Sequence, residues 1–136
     1  MKKLILGITA ALILLFQALP VAANTACSEG MIRNSYGFVG ETAAEGLGYC
    51  GATGVFTFKG DGTVVGVLKQ SCSGILLKAT GTGTYKVWPN CTAIADVEFS
   101  DGDSGRFHFT IVDGGKKIFA IGEQPGITFT MTGEQL

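Results

Sequence analysis

The chain predicts an all-β fold: an eight-stranded antiparallel up-and-down barrel braced by disulfides, with a two-sheet β-sandwich as the runner-up. Three observations lead there. From residue 35 onward, short apolar-alternating runs are separated by turn signals at intervals of about 8 to 12 residues. Two glycine-rich turns each sort their flanking side chains into one apolar and one mixed face. All four cysteines, Cys27, Cys50, Cys72 and Cys91, lie beyond an N-terminal leader pattern.

The leader comes first. Lys2 and Lys3 precede an apolar run from Leu4 to Phe16, and Pro20-Val21-Ala22-Ala23 places small residues where a signal peptidase reads them. Residues 1–23 are therefore expected to be a signal peptide cleaved after Ala23, leaving 24–136 as a single domain. Gln17 and Pro20 interrupt the apolar stretch, which falls short of the roughly 20 residues of a spanning helix. Asn24-Thr25-Ala26 before Cys27 lacks the aliphatic residue that precedes a lipidated cysteine. The predicted destination is secreted or periplasmic, with no membrane association after cleavage.

Without Lys2 and Lys3 the balance is 8 basic against 11 acidic side chains, a net charge of −3. The positive charges are scattered in sequence, apart from the pair Lys116-Lys117, so no nucleic-acid partner is expected.

Residues 26–34 carry no strand pattern and suit a turn or two. Strands are predicted over 35–42, 49–59, 63–72, 75–87, 92–99, 105–113, 116–123 and 127–133. Gly60-Asp61-Gly62, Ser73-Gly74, Pro89-Asn90, Ser100 to Ser104, Gly114-Gly115 and Gln124-Pro125-Gly126 connect them. Counting outward from Asp61 sets Phe58 against Val64, Phe56 against Gly66, Gly54 against Leu68 and Ala52 against Gln70. Lys59 with Thr63, Thr57 with Val65 and Thr53 with Lys69 fall on the other face.

The Gly114-Gly115 turn sets Ile111 against Ile118, Phe109 against Ala120 and Phe107 against Gly122. Arg106 then stands opposite Glu123 on the wet face, where an ion pair between them is expected. Phe38, Phe56, Phe58, Phe99, Phe107, Phe109 and Phe129 all fall inward and Phe119 outward, which implies one continuous core. An even number of antiparallel strands lets the last pair with the first and removes both edges, so closure is favoured over an open sheet.

Cys50 and Cys72 each lie eleven residues from Asp61 and so face each other. If 59 and 63 form a hydrogen-bonded pair, 50 and 72 fall at a non-hydrogen-bonded position, where strands come closest and a cross-strand bridge can form. That leaves Cys27 with Cys91. A metal site would need ligands at short spacing, and there is no Cys-x-x-Cys and a single histidine, so no metal or cofactor is expected.

Chemistry-bearing residues are sparse. His108 is expected on the outer face opposite Ile121, as a surface side chain. Asp101 and Asp103 resemble a fragment of a calcium loop without its distal glutamate, and a plain turn accounts for them better. Asn90-Cys91-Thr92 fits the glycosylation pattern, but a bacterial-type leader and a bridged Cys91 argue against its use. Gly81-x-Gly83 lies within a strand and is no phosphate loop; with Gly66 it thins the inner wall, accommodating Phe56 or Tyr85 or leaving a small cavity.

The inward set holds almost no ionisable group. Its members Tyr36, Phe56, Leu68, Gln70, Tyr85 and Phe109 are the candidate cavity residues, and no catalytic residue is assigned. Ordinary hydrolysis would have to come from the loops.

Ser35-Tyr36-Gly37-Phe38 after Cys27, Phe58-x-Gly60-Asp61-Gly62, Gly83-Thr84-Tyr85, Asn90-Cys91-Thr92 and Ile111-Val112-Asp113-Gly114-Gly115-Lys116 carry a resemblance over nearly the whole mature chain. By these strand and turn signatures the chain resembles a group of small secreted bacterial proteins of uncharacterised function. The resemblance implies that Cys27 and Cys91 are the group's usual pair and that Cys50 and Cys72 are an addition. The architecture also looks like the barrels of allene oxide cyclases and dirigent proteins, which guide reactive hydrophobic molecules; fold alone transfers no active-site residue.

Three functions follow as expectations. The first is a non-enzymatic extracytoplasmic barrel binding a small apolar ligand. The second is a cyclase-like steering enzyme using Tyr36, Tyr85 or Gln70 as donors. The third is an envelope interaction protein with an adhesive outer patch of Val55, Val65, Val67, Phe119 and Ile121.

Overall fold

The computed structural model describes residues 26–46 and 48–136; the expected leader and its cleavage point lie outside them. Eight antiparallel strands close into an up-and-down barrel in which each strand pairs with its sequence neighbours and β8 returns to β1. They are β1 (Ser35–Ala44), β2 (Gly48–Phe58), β3 (Thr63–Cys72), β4 (Ile75–Val87), β5 (Thr92–Phe99), β6 (Ser104–Val112), β7 (Lys117–Glu123) and β8 (Ile127–Gln135). Closure removes both sheet edges, so the sandwich is excluded.

Both registers counted from the turns hold at every pair, from Phe58 against Val64 through Cys50 against Cys72, and from Val112 against Lys117 through Arg106 against Glu123. The strand ends differ by a residue or two, for physical reasons. β1 and β8 run further than their own patterns indicate because they pair with each other, from Tyr36 with Gln135 to Ala44 with Ile127. β6 and β7 stop at 112 and start at 117 because Asp113–Gly115 form a short 3₁₀ turn. That turn needs positive φ at Gly114 (62°) and Gly115 (91°), which glycine adopts without penalty.

Inward side chains alternate along every strand. Tyr36, Ile118 and Val64 are fully buried and Phe38, Phe56, Phe58, Phe109 and Phe129 nearly so. Phe99 and Phe107 pack on the same cluster from nearer the surface, and Phe119 stands outside. The rings meet mostly edge to face, as in Phe58 with Tyr85 at 5.0 Å and Phe107 with Phe129 at 5.4 Å, a preferred arrangement for aromatic quadrupoles.

Both disulfides form as counted, Cys50 with Cys72 and Cys27 with Cys91. Lys59 donates its N–H to the Thr63 carbonyl at 3.0 Å, so the Cys50–Cys72 position is non-hydrogen-bonded, and its Cα atoms lie 4.3 Å apart. Two bridges are compatible with an oxidising compartment. No helix among the described residues is long and apolar enough to cross a membrane.

Candidate functional site

The two ends of the barrel differ, and the difference locates the site. One end is plugged by residues 26–34, which form a one-turn 3₁₀ helix (Glu29–Ile32) seated under the turns. Ile32 is fully buried, Cys27 is bridged to Cys91 and donates its N–H to the Pro89 carbonyl, and Phe58 donates to the Asn34 carbonyl. The sequence marks this segment only as irregular. Its sealing role depends on contacts far along the chain that no local periodicity encodes.

Tyr36 and Tyr85 belong to this plugged end. The Tyr36 hydroxyl donates to the Gly115 carbonyl, and the Tyr85 hydroxyl donates to the Glu29 carbonyl at 3.1 Å while accepting the Gly60 N–H at 2.9 Å. Burial pushes the Tyr36 hydroxyl up to about 12 and raises Tyr85 in the same direction. The Glu29 carboxylate accepts the Val87 N–H at 3.2 Å, and backbone hydrogen bonds hold it below the ordinary carboxylate value.

The opposite end, carrying the β1–β2, β3–β4, β5–β6 and β7–β8 connections, is left open by the described residues. A pocket of about 170 Å³ lies in its mouth, floored by Leu68, Phe99, Phe107 and Phe129 and edged by Thr42 and Gln70. Asp101, Asp103, Lys78 and Arg106 stand at its rim. Deeper inside, between Phe56, Leu68, Phe109 and Met131, a void of only about 20 Å³ remains, little more than one water-sized sphere, so the centre is packed.

The six candidate cavity residues therefore do not share one chamber. Phe56, Leu68 and Phe109 line the packed centre, Leu68 and Gln70 line the mouth, and Tyr36 and Tyr85 serve the plug. The glycines behave as wall-thinners. Gly66 makes room for Phe56, whereas Gly81 faces Phe99 and Val97 rather than Tyr85. The mouth residues Thr42, Phe99, Phe107 and Phe129 are missing from the sequence-derived set. Their inward parity was available, but which end stays open was not.

The outer wall brings one correction. Arg106 faces Glu123 in register yet gives its guanidinium to Asp96 on β5, at 2.7 and 3.1 Å, while Glu123 takes His108 Nε2 at 2.6 Å. Arg106 stands opposite Asp96 on its other side as well, and the planar fork matches that carboxylate in a bidentate pair. This bond and the Arg106 charge lower the Asp96 pKa, and the same bond and the Asp96 charge raise that of Arg106.

The remaining motifs are turns. The Asp101 carboxylate accepts the Asp103 N–H, and the Asn90 side chain accepts both the N–H and the hydroxyl of Thr92. Val55 faces Val67 across β2–β3, Phe119 and Ile121 stand on β7, and the exposed Val39 lies on β1 between them. No group of three or more potential metal ligands occurs among the described residues. No protein-family model matches the chain, and no curated protein matches it.

Proposed function

We propose that this protein is an exported barrel that binds a small, largely apolar molecule at its open mouth. The observation that carries the reading is the aromatic-floored pocket of about 170 Å³ above a packed interior. A dry cavity of about 150 Å³ accommodates benzene, and drug-sized pockets run from about 300 Å³ upward. The ligand is accordingly a single ring, a short branched chain, or the end of a longer chain. Gln70 and Thr42 offer an amide and a hydroxyl to a polar terminus.

Export is supported by the leader pattern and by the two bridges. The steering-enzyme reading is left with Gln70 alone, since the tyrosine hydroxyls are engaged with backbone at the plug.

Native mass spectrometry of protein purified from its own host, paired with ligand-observed NMR using p-cresol as a single-ring probe, tests the proposal. Saturable binding that Gln70→Trp abolishes and Phe119→Ser leaves intact is expected. Absence of both a retained species and saturable p-cresol binding overturns it.

A further inference from the structure

The open end of the barrel is not level. β4, at 13 residues the longest strand, outruns β5: its pairing with β3 continues to Ile75, whereas its pairing with β5 starts only at Gly81 with Phe99. One residue further out, Thr80 donates its N–H to Ser100 Oγ at 3.0 Å and accepts the Ser100 N–H at 2.8 Å, and there β5 turns away into the β5–β6 connection. Ile75 to Lys78 are all exposed. This stretch is laddered to β3 on one side and bare on the other.

Alternation decides what the bare side offers. Along a strand, successive residues turn their N–H and C=O groups to opposite edges. Tyr85 sends its N–H to Gly62, just ahead of β3, and Thr80 bonds Ser100 on the β5 side. Leu76 and Lys78 share the parity of Thr80, so their N–H and C=O groups point out of the bare edge, and none of them finds a partner among the described residues. The edge belongs to the mouth pocket, because Leu77 and Ala79 turn inward to line it and Lys78 borders it.

A row of free amide donors and carbonyl acceptors at strand spacing is matched by one kind of ligand, another extended chain. Building on the mouth as the ligand site, we infer that its ligand is an extended peptide segment that pairs antiparallel with Leu76 and Lys78 and lowers one aromatic or branched side chain into the pocket. The peptide residue opposite Leu77 directs its side chain to the inner face, toward Phe99 and Phe107, where a pocket of about 170 Å³ suits a single ring. The residues before and after it exchange N–H···O bonds with Lys78 and Leu76, as directly opposed hydrogen-bonded pairs do. Lys69 already stands opposite Lys78 on the outer face, so the peptide residue beside Lys78 is neutral or acidic rather than basic.

A second copy fits this edge less well. The register that pairs Leu76 with Lys78 in both directions is centred on Leu77, and it sets Gly74 of each copy opposite Thr80 of the other, where Ser100 already sits.

Calorimetric titration of the protein, with both bridges formed, against acetyl-Thr-Phe-Thr-amide and against p-cresol tests this. The peptide should bind at least about tenfold more tightly than p-cresol, because main-chain bonds add to the burial of the ring, and excess p-cresol should displace it. Methylating the amide nitrogen of either threonine should weaken binding at least about tenfold. Methylating that of phenylalanine, whose N–H points away from β4, should leave binding intact. Lys78→Pro deletes an edge donor without touching the β3 ladder, and it should lose the peptide while keeping p-cresol. A peptide no tighter than p-cresol, or phenylalanine methylation as damaging as threonine methylation, overturns the inference and leaves the pocket reading standing. Absence of binding by both ligands removes that reading as well. Concentration-dependent dimerisation that Lys78→Pro abolishes, without peptide binding, assigns the edge to a second copy and likewise overturns it.

Discussion

Phe56 lies directly across the β2–β3 ladder from Gly66, and its ring fills the space a side chain at 66 would need. A Cβ at Gly66 would sit 2.6 Å from Phe56 Cγ. In an open strand Gly→Ala gains about 0.5–1 kcal/mol of backbone entropy. Here overpacking reverses the sign, and Gly66→Ala is expected to destabilise by about 1–3 kcal/mol. Urea unfolding measures it, and adding Phe56→Leu should recover part of the loss. A neutral or stabilising Gly66→Ala would contradict the packing.

The two bridges close loops of different size, with sequence separations of 22 and 64. Chain-entropy loss in the unfolded state gives about 3 kcal/mol for Cys50–Cys72 and about 4 kcal/mol for Cys27–Cys91. Replacing Cys27 and Cys91 by serine should therefore cost more in unfolding free energy. It should also raise amide exchange at Phe58 and Val87, which bond the plug. Replacing Cys50 and Cys72 should leave that exchange unchanged.

Burial holds the Tyr36 phenol in its neutral form. Its folded value, raised from 10.0 to about 12, contributes stability that is complete below pH 10 and is lost as pH rises through about 12. The contribution is about 3 kcal/mol at most. Alkaline unfolding followed by circular dichroism should thus steepen over that window. Tyr36→Phe should remove this residue's share while costing about 1–3 kcal/mol near neutrality, because the Gly115 carbonyl loses its donor.

Arg106 bonds Asp96 rather than its other cross-strand neighbour. A double-mutant cycle should accordingly find stronger coupling for Arg106 with Asp96 than for Arg106 with Glu123, and the excess should shrink with added salt. Equal coupling in the two cycles would return the ion pair to Glu123.

Strand parity, both hairpin registers and the Cys50–Cys72 pairing were legible because glycine-rich reversals at Asp61 and Gly114 fix a count from which alternation follows. The plug was not legible, since Cys27 to Asn34 have no period and are held by Pro89, Glu29's reach to Val87, and Gly115. Arg106 could equally have taken either flanking carboxylate, and only side-chain geometry selects one. Lys69 beside Lys78 was legible in principle: counting through Ser73-Gly74 sets them opposite, whereas their separation in sequence hides the pair.

Closure by β1 with β8 joins residues about as far apart as the domain allows, with Leu136 donating its N–H to the Ser35 carbonyl. During synthesis no ring can exist until the final strand has emerged, so β1 waits with an unmet row of amides while seven strands accumulate. A chain cut short at Gly126 would present two bare edges side by side, a template for runaway polymerisation rather than a slightly smaller domain. Closure of the ring therefore hangs on residues 127–136.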